Sequence, residues 1–563
     1  MSMDCTQIIN ELANFSAKRD DEGIVTVTID QADRKMNVID DNFNQSFAAL
    51  SAAFINDKSA KGLIITSGKD SFIAGADIDQ LANIQTHEQA FELVENLKSS
   101  MRQLEKCAKP VVAAMTGTAL GGGLEVALGC HYRLAIDAPT AKFGLPEVKL
   151  GLLPGGGGTQ RLMRLIGMQK SLEMMTQGQI VSASRAKELG FIDALASDEA
   201  DMLSQAKAWI KANPNAQQPW DMKGFKIPGG NANQPKNAQM LSIAPAMAYQ
   251  KSHGNYPAII HIMSCVFEGS LLDIDAGLEV ESNYFVACVL SPESKNMITS
   301  MWTQLNQIKK GQSRSNATLA KAFDFVLQIG KTPIVVNDSR GFYTSRVFGT
   351  YVSEGIAMLG EGVHPRRIEV AGLKAGMPMP PLALEDEVSL DLSMLIMAQS
   401  KKDTLAEGKD WVSHPAEAVL TTLVKGYERL GKKVGKGFYN YAQNAEGKND
   451  KQLWPALTEL YPPLVEQPDM QELIDRLLYI QANESARCYE EGVLRSVAEG
   501  NVGSIFGWGF APHQGGTLQF INGTGIEKFV ERSRKLAAKY GARFEPAQIL
   551  VEMANKGEVF ADG

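Results

Sequence analysis

Between Gly23 and Ser197 the chain alternates short runs of β-branched residues with longer runs at helical spacing, and this alternation limits the fold more than any other feature. The stretches GIVTVTID (23–30) and KGLIIT (61–66) read as strands with punctuation at their ends. Between them DNFNQSFAALSAAFIND (41–57) has the spacing of an amphipathic helix, with Asp41 placed to cap its start. Strand, helix and strand in that order predict α/β organisation. The whole chain, at 563 residues, exceeds what one core can organise, so three or four domains are expected.

The rest of the chain changes character. Residues 213–256 are rich in Asn, Pro, Gln and Lys and predict a linker or a wrapped excursion. Residues 257–310 predict long helices ending at QLNQIKKG. Beyond them lies an internal repeat: Arg346, Glu354 and EGV at 361–363 recur as Arg476, Glu484 and EGV at 491–493, each at an offset of 130 residues. Gly376 and Gly507 continue the match with one residue of slip. A duplicated helical domain is expected, one copy over 331–445 and the other over 465–563.

Several function classes recede. The net charge of −8, with no dominant basic stripe, argues against nucleic-acid binding. None of the six cysteines stands in a C-x-x-C pair, so neither a zinc ribbon nor a redox motif is read, and scattered thiols fit a reducing cytoplasm. No signal peptide is read at the N-terminus. The most membrane-like stretch, Val111 to Cys130, contains glycines and Glu125 and makes a poor spanning helix.

That same stretch holds the most informative chemistry. ALGGGLEVALGC (119–130) sets three glycines before an apolar run with a single acid, Glu125. Glycine leaves its N–H open to close approach, and an N–H at a helix start suits an oxyanion. SFIAGADIDQL (71–81) is a second small-residue loop that can supply another N–H. FGLPEVKLGLLPGGGGTQRL (143–162) brings Glu147 behind a proline. The spacing of 22 residues (147 − 125) leaves open whether Glu125 and Glu147 meet; if they do, two carboxylates in one apolar pocket push their pKa values apart, one serving as base and the other as acid.

These segments, FIAGADI, LGGGLEVAL, FGLPEVKLGLLPGGGGTQRL and the earlier KMNVID, resemble the crotonase, or enoyl-CoA hydratase/isomerase, superfamily over about residues 20–200. The resemblance implies a crotonase-type spiral of ββα units over 1–200 that binds an acyl-CoA thioester. It implies that the N–H groups of Ala76 and Gly122 hold the thioester oxygen. Glu125 and Glu147 would then orient water and move protons. Arg34 or Lys35 are candidates for the CoA phosphates.

KTPIVVNDSRGFYTSRVF (331–348), AGMPMPPLALEDEVSLDL (375–392) and GKKVGKGFYNY (431–441) resemble the all-α C-terminal domain of 3-hydroxyacyl-CoA dehydrogenase, and GWGFAPHQGGTLQF (507–520) its degenerate second copy. With both halves, the chain resembles the α-subunits of fatty acid β-oxidation complexes, leaning to the anaerobic, mitochondrial-like branch. That family implies a thiolase β-subunit as partner in an α2β2 assembly. It also places an NAD-binding Rossmann domain between the halves, and no G-x-G-x-x-G occurs in this sequence. Only about 20 residues separate Gly311 from Lys331, whereas one βαβ unit needs about 30 or more. None of the seven histidines has the His-Phe-x-x-Pro context of the family's dehydrogenase, and Ser345 stands where many relatives carry a substrate-contacting Asn. The expectation is a linker and helices over 201–330, a domain deleted near 311, and 312–330 as its residual helix. No NAD site and no metal or other tightly bound cofactor is expected. Hydration, with enoyl-CoA isomerisation as a possible companion, is expected without dehydrogenation; a full bifunctional enzyme and a non-catalytic assembly subunit are the alternatives.

Overall fold

The computed structural model describes residues 4–311, 317–443 and 449–562. They form two compact units, Met1–Ile298 and Thr299–Gly563.

The first unit is built on a six-stranded sheet. Its strands are β1 (Phe15–Arg19), β2 (Ile24–Ile29), β3 (Gly62–Ser67), β4 (Val111–Met115), β6 (Tyr132–Ile136) and β9 (Ala194–Ala196), in that spatial order. β1 meets β2 antiparallel and every later pair is parallel. Every residue of β3 and β4 is buried, as expected where helices cover both faces of a parallel sheet. A smaller sheet joins β5 (Ala119–Leu120), β7 (Phe143–Gly144) and β8 (Ile180–Val181).

The helix predicted after Gly23 forms over Asp41–Asn56, but Asp40 caps it. The Asp40 carboxylate accepts from the N–H of Phe43 at 2.8 Å, so Asp41 falls inside the first turn. The boundary expected at residue 200 also moves. Ala232, Ala258, Ile262, Cys265, Phe285, Val289 and Ile298 are all buried in the same core as β2 and β3. The stretch expected as linker and helices over 201–330 is therefore split. Its part up to Ile298 completes the first unit, because Pro257–Ser270 and Ile274–Val289 carry apolar faces that this core covers. Within 213–256 a helix spans Pro235–Ser252, of which only Asn237 is buried.

The second unit is helical apart from an antiparallel hairpin of β10 (Tyr439–Gln443) and β11 (Asn449–Leu453). The repeat is visible as two long helices, Thr344–Gly360 and Met470–Glu490. Its charged residues pair across the copies. Arg346 binds Glu484 at 2.5 Å and Glu491 at 2.5 Å; reciprocally, Arg476 binds Glu354 at 2.7 Å and Glu361 at 2.7 Å. Residues of both copies share one buried core, from Tyr343 and Val347 to Leu477 and Phe529. The glycine match is corrected. Gly376 and Gly509, with φ of +88° and +79°, both follow helix ends, whereas Gly507 lies inside the helix Val497–Trp508. The residual helix expected over 312–330 forms as Ala317–Gln328, and 312–316 lie outside the described residues. Among the described residues no helix is long and apolar enough to cross a membrane.

Candidate active site

The two small-residue loops meet because buried Asn37 ties one of them down. Its Nδ2 donates to the carbonyls of Ile29 (3.0 Å) and Phe72 (3.2 Å) and to Ser67 Oγ (2.9 Å), and its own carbonyl accepts from the N–H of Ala74 at 2.8 Å. Ile39 then brackets the loop. Its N–H donates to the Gly75 carbonyl at 2.9 Å, and its carbonyl accepts from the N–H of Asp77 at 2.8 Å. The N–H of Ala76, between these two bonds, has no acceptor among the described residues.

The glycine run turns the chain from β5 into the helix Gly122–Leu128. Gly121 sits at φ +53° and ψ −131°, and its N–H donates to the Gly144 carbonyl at 2.9 Å. The N–H of Gly122, at the first helical position, likewise has no acceptor among the described residues. A Cβ placed on Gly122 would lie 3.6 Å from the Ala76 nitrogen. The two N–H groups named from the sequence are thus neighbours.

Both glutamates flank the same turn. A Cβ on Gly121 would come within 2.9 Å of Glu147 Oε1, and one on Gly122 within 3.9 Å of Glu125 Oε2. Glu125 is the fourth residue of its helix and is 3% exposed. Its Oε1 accepts from the N–H groups of Gly156 (2.8 Å) and Gly158 (2.6 Å). Glu147 opens a short 3-10 turn, Glu147–Leu150, after Pro146, and its Oε2 is buried without a hydrogen-bond partner. Burial, then the charges of Glu147 and Glu281, raise Glu125 well above the usual carboxylate range, while the N–H groups of Gly158 and Gly156 oppose the rise. Burial likewise pushes Glu147 up to about 8, against the pull of its own backbone N–H and with a further push from Glu281.

Other residues of this site carried no signal in the sequence. Glu281, in the helix Ile274–Val289, accepts from the N–H groups of Gly157 (2.5 Å) and Thr159 (2.9 Å). It lies far down the chain in a segment without a motif. Arg161 and Glu105, both fully buried, pair at 2.7 Å, and Arg161 also donates to the Gly156 carbonyl at 3.0 Å. Arg34, a candidate for the CoA phosphates, is partly exposed and pairs with Asp77 at 2.8 Å and Asp40 at 3.4 Å. Lys35 is exposed.

Residues 19–221 match the family described as enoyl-CoA hydratase/isomerase. The chain carries an enoyl-CoA hydratase/isomerase domain. Alongside that domain, residues 341–441 match the C-terminal domain of 3-hydroxyacyl-CoA dehydrogenase. A relative, the fatty acid oxidation complex subunit alpha of Shewanella amazonensis, is 29% identical over 716 aligned positions, covering 97% of this chain and 99% of the relative. Among solved structures, an enoyl-CoA hydratase from Bacillus anthracis is 22% identical, covers 57% of this chain and 98% of its own, and has a TM-score of 0.33. An enoyl-CoA hydratase from Bacillus halodurans is 21% identical, covers 50% of this chain and 98% of its own, and has a TM-score of 0.38.

In the second unit, Ser345 lines an open cleft of about 1070 Å³ together with Glu385 and His414. The only sheet among the described residues of that unit is the antiparallel hairpin β10–β11.

Proposed function

We propose that this chain hydrates 2-enoyl-CoA thioesters to 3-hydroxyacyl-CoA in fatty acid β-oxidation, with Ala76 and Gly122 as the oxyanion hole and Glu125 and Glu147 as the proton-handling pair. One observation carries the reading: two neighbouring N–H groups without acceptors among the described residues stand beside the buried Glu125 and the half-buried Glu147, in a domain that matches enoyl-CoA hydratases. A thioester oxygen seated on those N–H groups gains negative charge as water adds at C3. Donors fixed in advance act most where charge develops, and each lowers the barrier by about 3 kcal/mol.

The carboxylates divide the proton work. Two such groups in one buried site do not both ionise readily. Burial raises both, and their donors set the order within the pair. Glu125, with two N–H donors on Oε1, is the member of the pair whose ionised form has direct hydrogen-bond support, and we assign it the base role. Glu147, with an undonated buried oxygen, holds the proton. Glu125 takes a proton from water as its oxygen bonds to C3, and Glu147 delivers a proton to C2. One water is consumed, and a proton passing back between the carboxyls resets the pair. The same pair is compatible with Δ3–Δ2 isomerisation, which needs one base to shuttle a proton.

The reading assigns no dehydrogenase step to the chain. Its support is the missing parallel sheet among the described residues of the second unit and the alignment itself: 716 positions against 563 residues leave at least 153 positions (716 − 563) filled by the relative alone. The retained helical domains serve as scaffold. By analogy with the relative's name, we place the chain in a multi-subunit complex; a thiolase β-subunit in an α2β2 assembly is the partner that the family resemblance implies. The six unpaired cysteines support a cytoplasmic location. The deciding experiment incubates the protein with crotonyl-CoA, with and without NAD, following enoyl-thioester absorbance and NADH. Loss of the enoyl signal without NADH is expected. NADH production would refute the absence of a dehydrogenase, and an unchanged enoyl signal would refute the hydratase.

A further inference from the structure

We infer that Glu281 is a positioning residue of the hydration site, holding the loop whose N–H groups aim Glu125 and favour its ionised form. The inference rests on the hydratase reading above and extends it to a residue beyond the matched segment, 19–221.

The loop PGGGGT (154–159) presents four successive N–H groups to two carboxylates in alternation. Those of Gly156 and Gly158 go to Glu125, and those of Gly157 and Thr159 go to Glu281. The Thr159 hydroxyl adds a third donor to Glu281, at 2.5 Å. Glycines are required for this threading. A Cβ on Gly156 would come within 2.9 Å of Glu125 Oε2, and one on Gly158 within 2.6 Å of Oε1. A loop of bare glycines has little stiffness of its own. Its order comes from what grips it, and Glu281 grips the N–H groups that Glu125 leaves free.

Glu281 is fully buried, which is costly for a carboxylate without partners. Its partners are those three donors of the loop and, more distantly, Lys98 Nζ at 3.9 Å. Lys98 is itself anchored on the Leu278 carbonyl at 2.7 Å and on Ser282. The groups facing Glu125 are Glu147 and Glu281, whose charges both oppose its ionisation; those facing Glu281 are Lys98 and Arg161, with Glu105 paired to Arg161, and the like groups Glu125 and Glu147. Slackening the loop withdraws both donors from Glu125 and disfavours its ionised form.

The test is Glu281→Asp, which keeps the charge but shortens the reach by one methylene. Hydration of crotonyl-CoA is followed across pH, with Glu125→Gln as control. The acidic limb of kcat/KM against pH is expected to move up by about half a unit or more, because the limb reports the ionised carboxylate of the free enzyme. Turnover on the plateau is expected to fall about tenfold from misplacement of Glu125. A pH profile superposable on the parent's overturns the inference, whatever happens to turnover, since mere loss of folded protein leaves the limb in place. Should the Asp variant fail to fold, Thr159→Val, which keeps Glu281 and removes one donor, is read by the same criterion. If Glu125→Gln keeps parental turnover, the hydratase reading falls and this inference with it.

Discussion

Gly121 occupies a backbone region, φ +53° and ψ −131°, that a side chain rarely adopts, and a Cβ there would press on Glu147 Oε1 at 2.9 Å. Gly121→Ala therefore strains the turn and displaces the Glu147 carboxyl together. Hydratase turnover is expected to fall at least about 100-fold, the scale of a lost oxyanion donor or an ångström of misplacement. Stability is expected to fall by about 1–3 kcal/mol. Steady-state kinetics and a urea melt check both, and an alanine variant with parental turnover would exclude the strained turn as the support of the site. At this scale the glycine triplet before a lone acid and the acid behind a proline single out two positions, Glu125 and Glu147, which the fold sets beside one turn, while the roles expected of them come from the family resemblance. Glu281 was not readable. A buried carboxylate in an ordinary helical pattern has the local signature of a surface acid, and only the fold shows which N–H groups it meets.

At the scale of elements, the repeat makes one ion-pair pattern twice in unequal settings. Arg476 and Glu354 are both fully buried, whereas Arg346 and Glu491 are 20% and 48% exposed. Removing one partner of a buried pair strands a charge and costs about 3–5 kcal/mol, while an exposed pair is worth about 0–1 kcal/mol. Arg476→Met is thus expected to destabilise the second unit severely, and Glu491→Gln scarcely at all. Paired denaturant melts of the two variants decide it: equal losses would mean that burial does not set the strength of these pairs. The repeat's offset was legible as a string of matches, but the reciprocal pairing across copies was not. Element boundaries blurred for a similar reason. Asp40 and Asp41 are equivalent as letters, and only the extended backbone at Asp40, φ −119° and ψ −177°, makes it the cap.

For the whole molecule, composition marked a boundary at about 200 that packing does not respect. The helices up to Ile298 read as independent because their polar faces look like any surface helix, yet their apolar faces close the first unit's core. The second unit carries a further consequence of burial. Asp386 accepts from the N–H groups of Phe438 (2.7 Å) and Tyr439 (2.9 Å), Glu369 from Leu382 (2.9 Å) and the Tyr439 hydroxyl, and Glu385 keeps one buried oxygen without a partner. Burial pushes Glu385 up to about 8, Glu369 to about 7 and Asp386 to about 6. Each is then protonated more readily folded than unfolded, where carboxyls titrate near about 4. Their contribution to stability is complete below that value and is lost as pH rises through the folded values. The second unit's melting temperature is therefore expected to fall, on the order of 5 °C, between about pH 5 and pH 8. Calorimetry across that range tests the trend, and Glu385→Gln, which removes the group with the highest value, should flatten it. A slope unaltered by that substitution would show that Glu385 does not govern the loss.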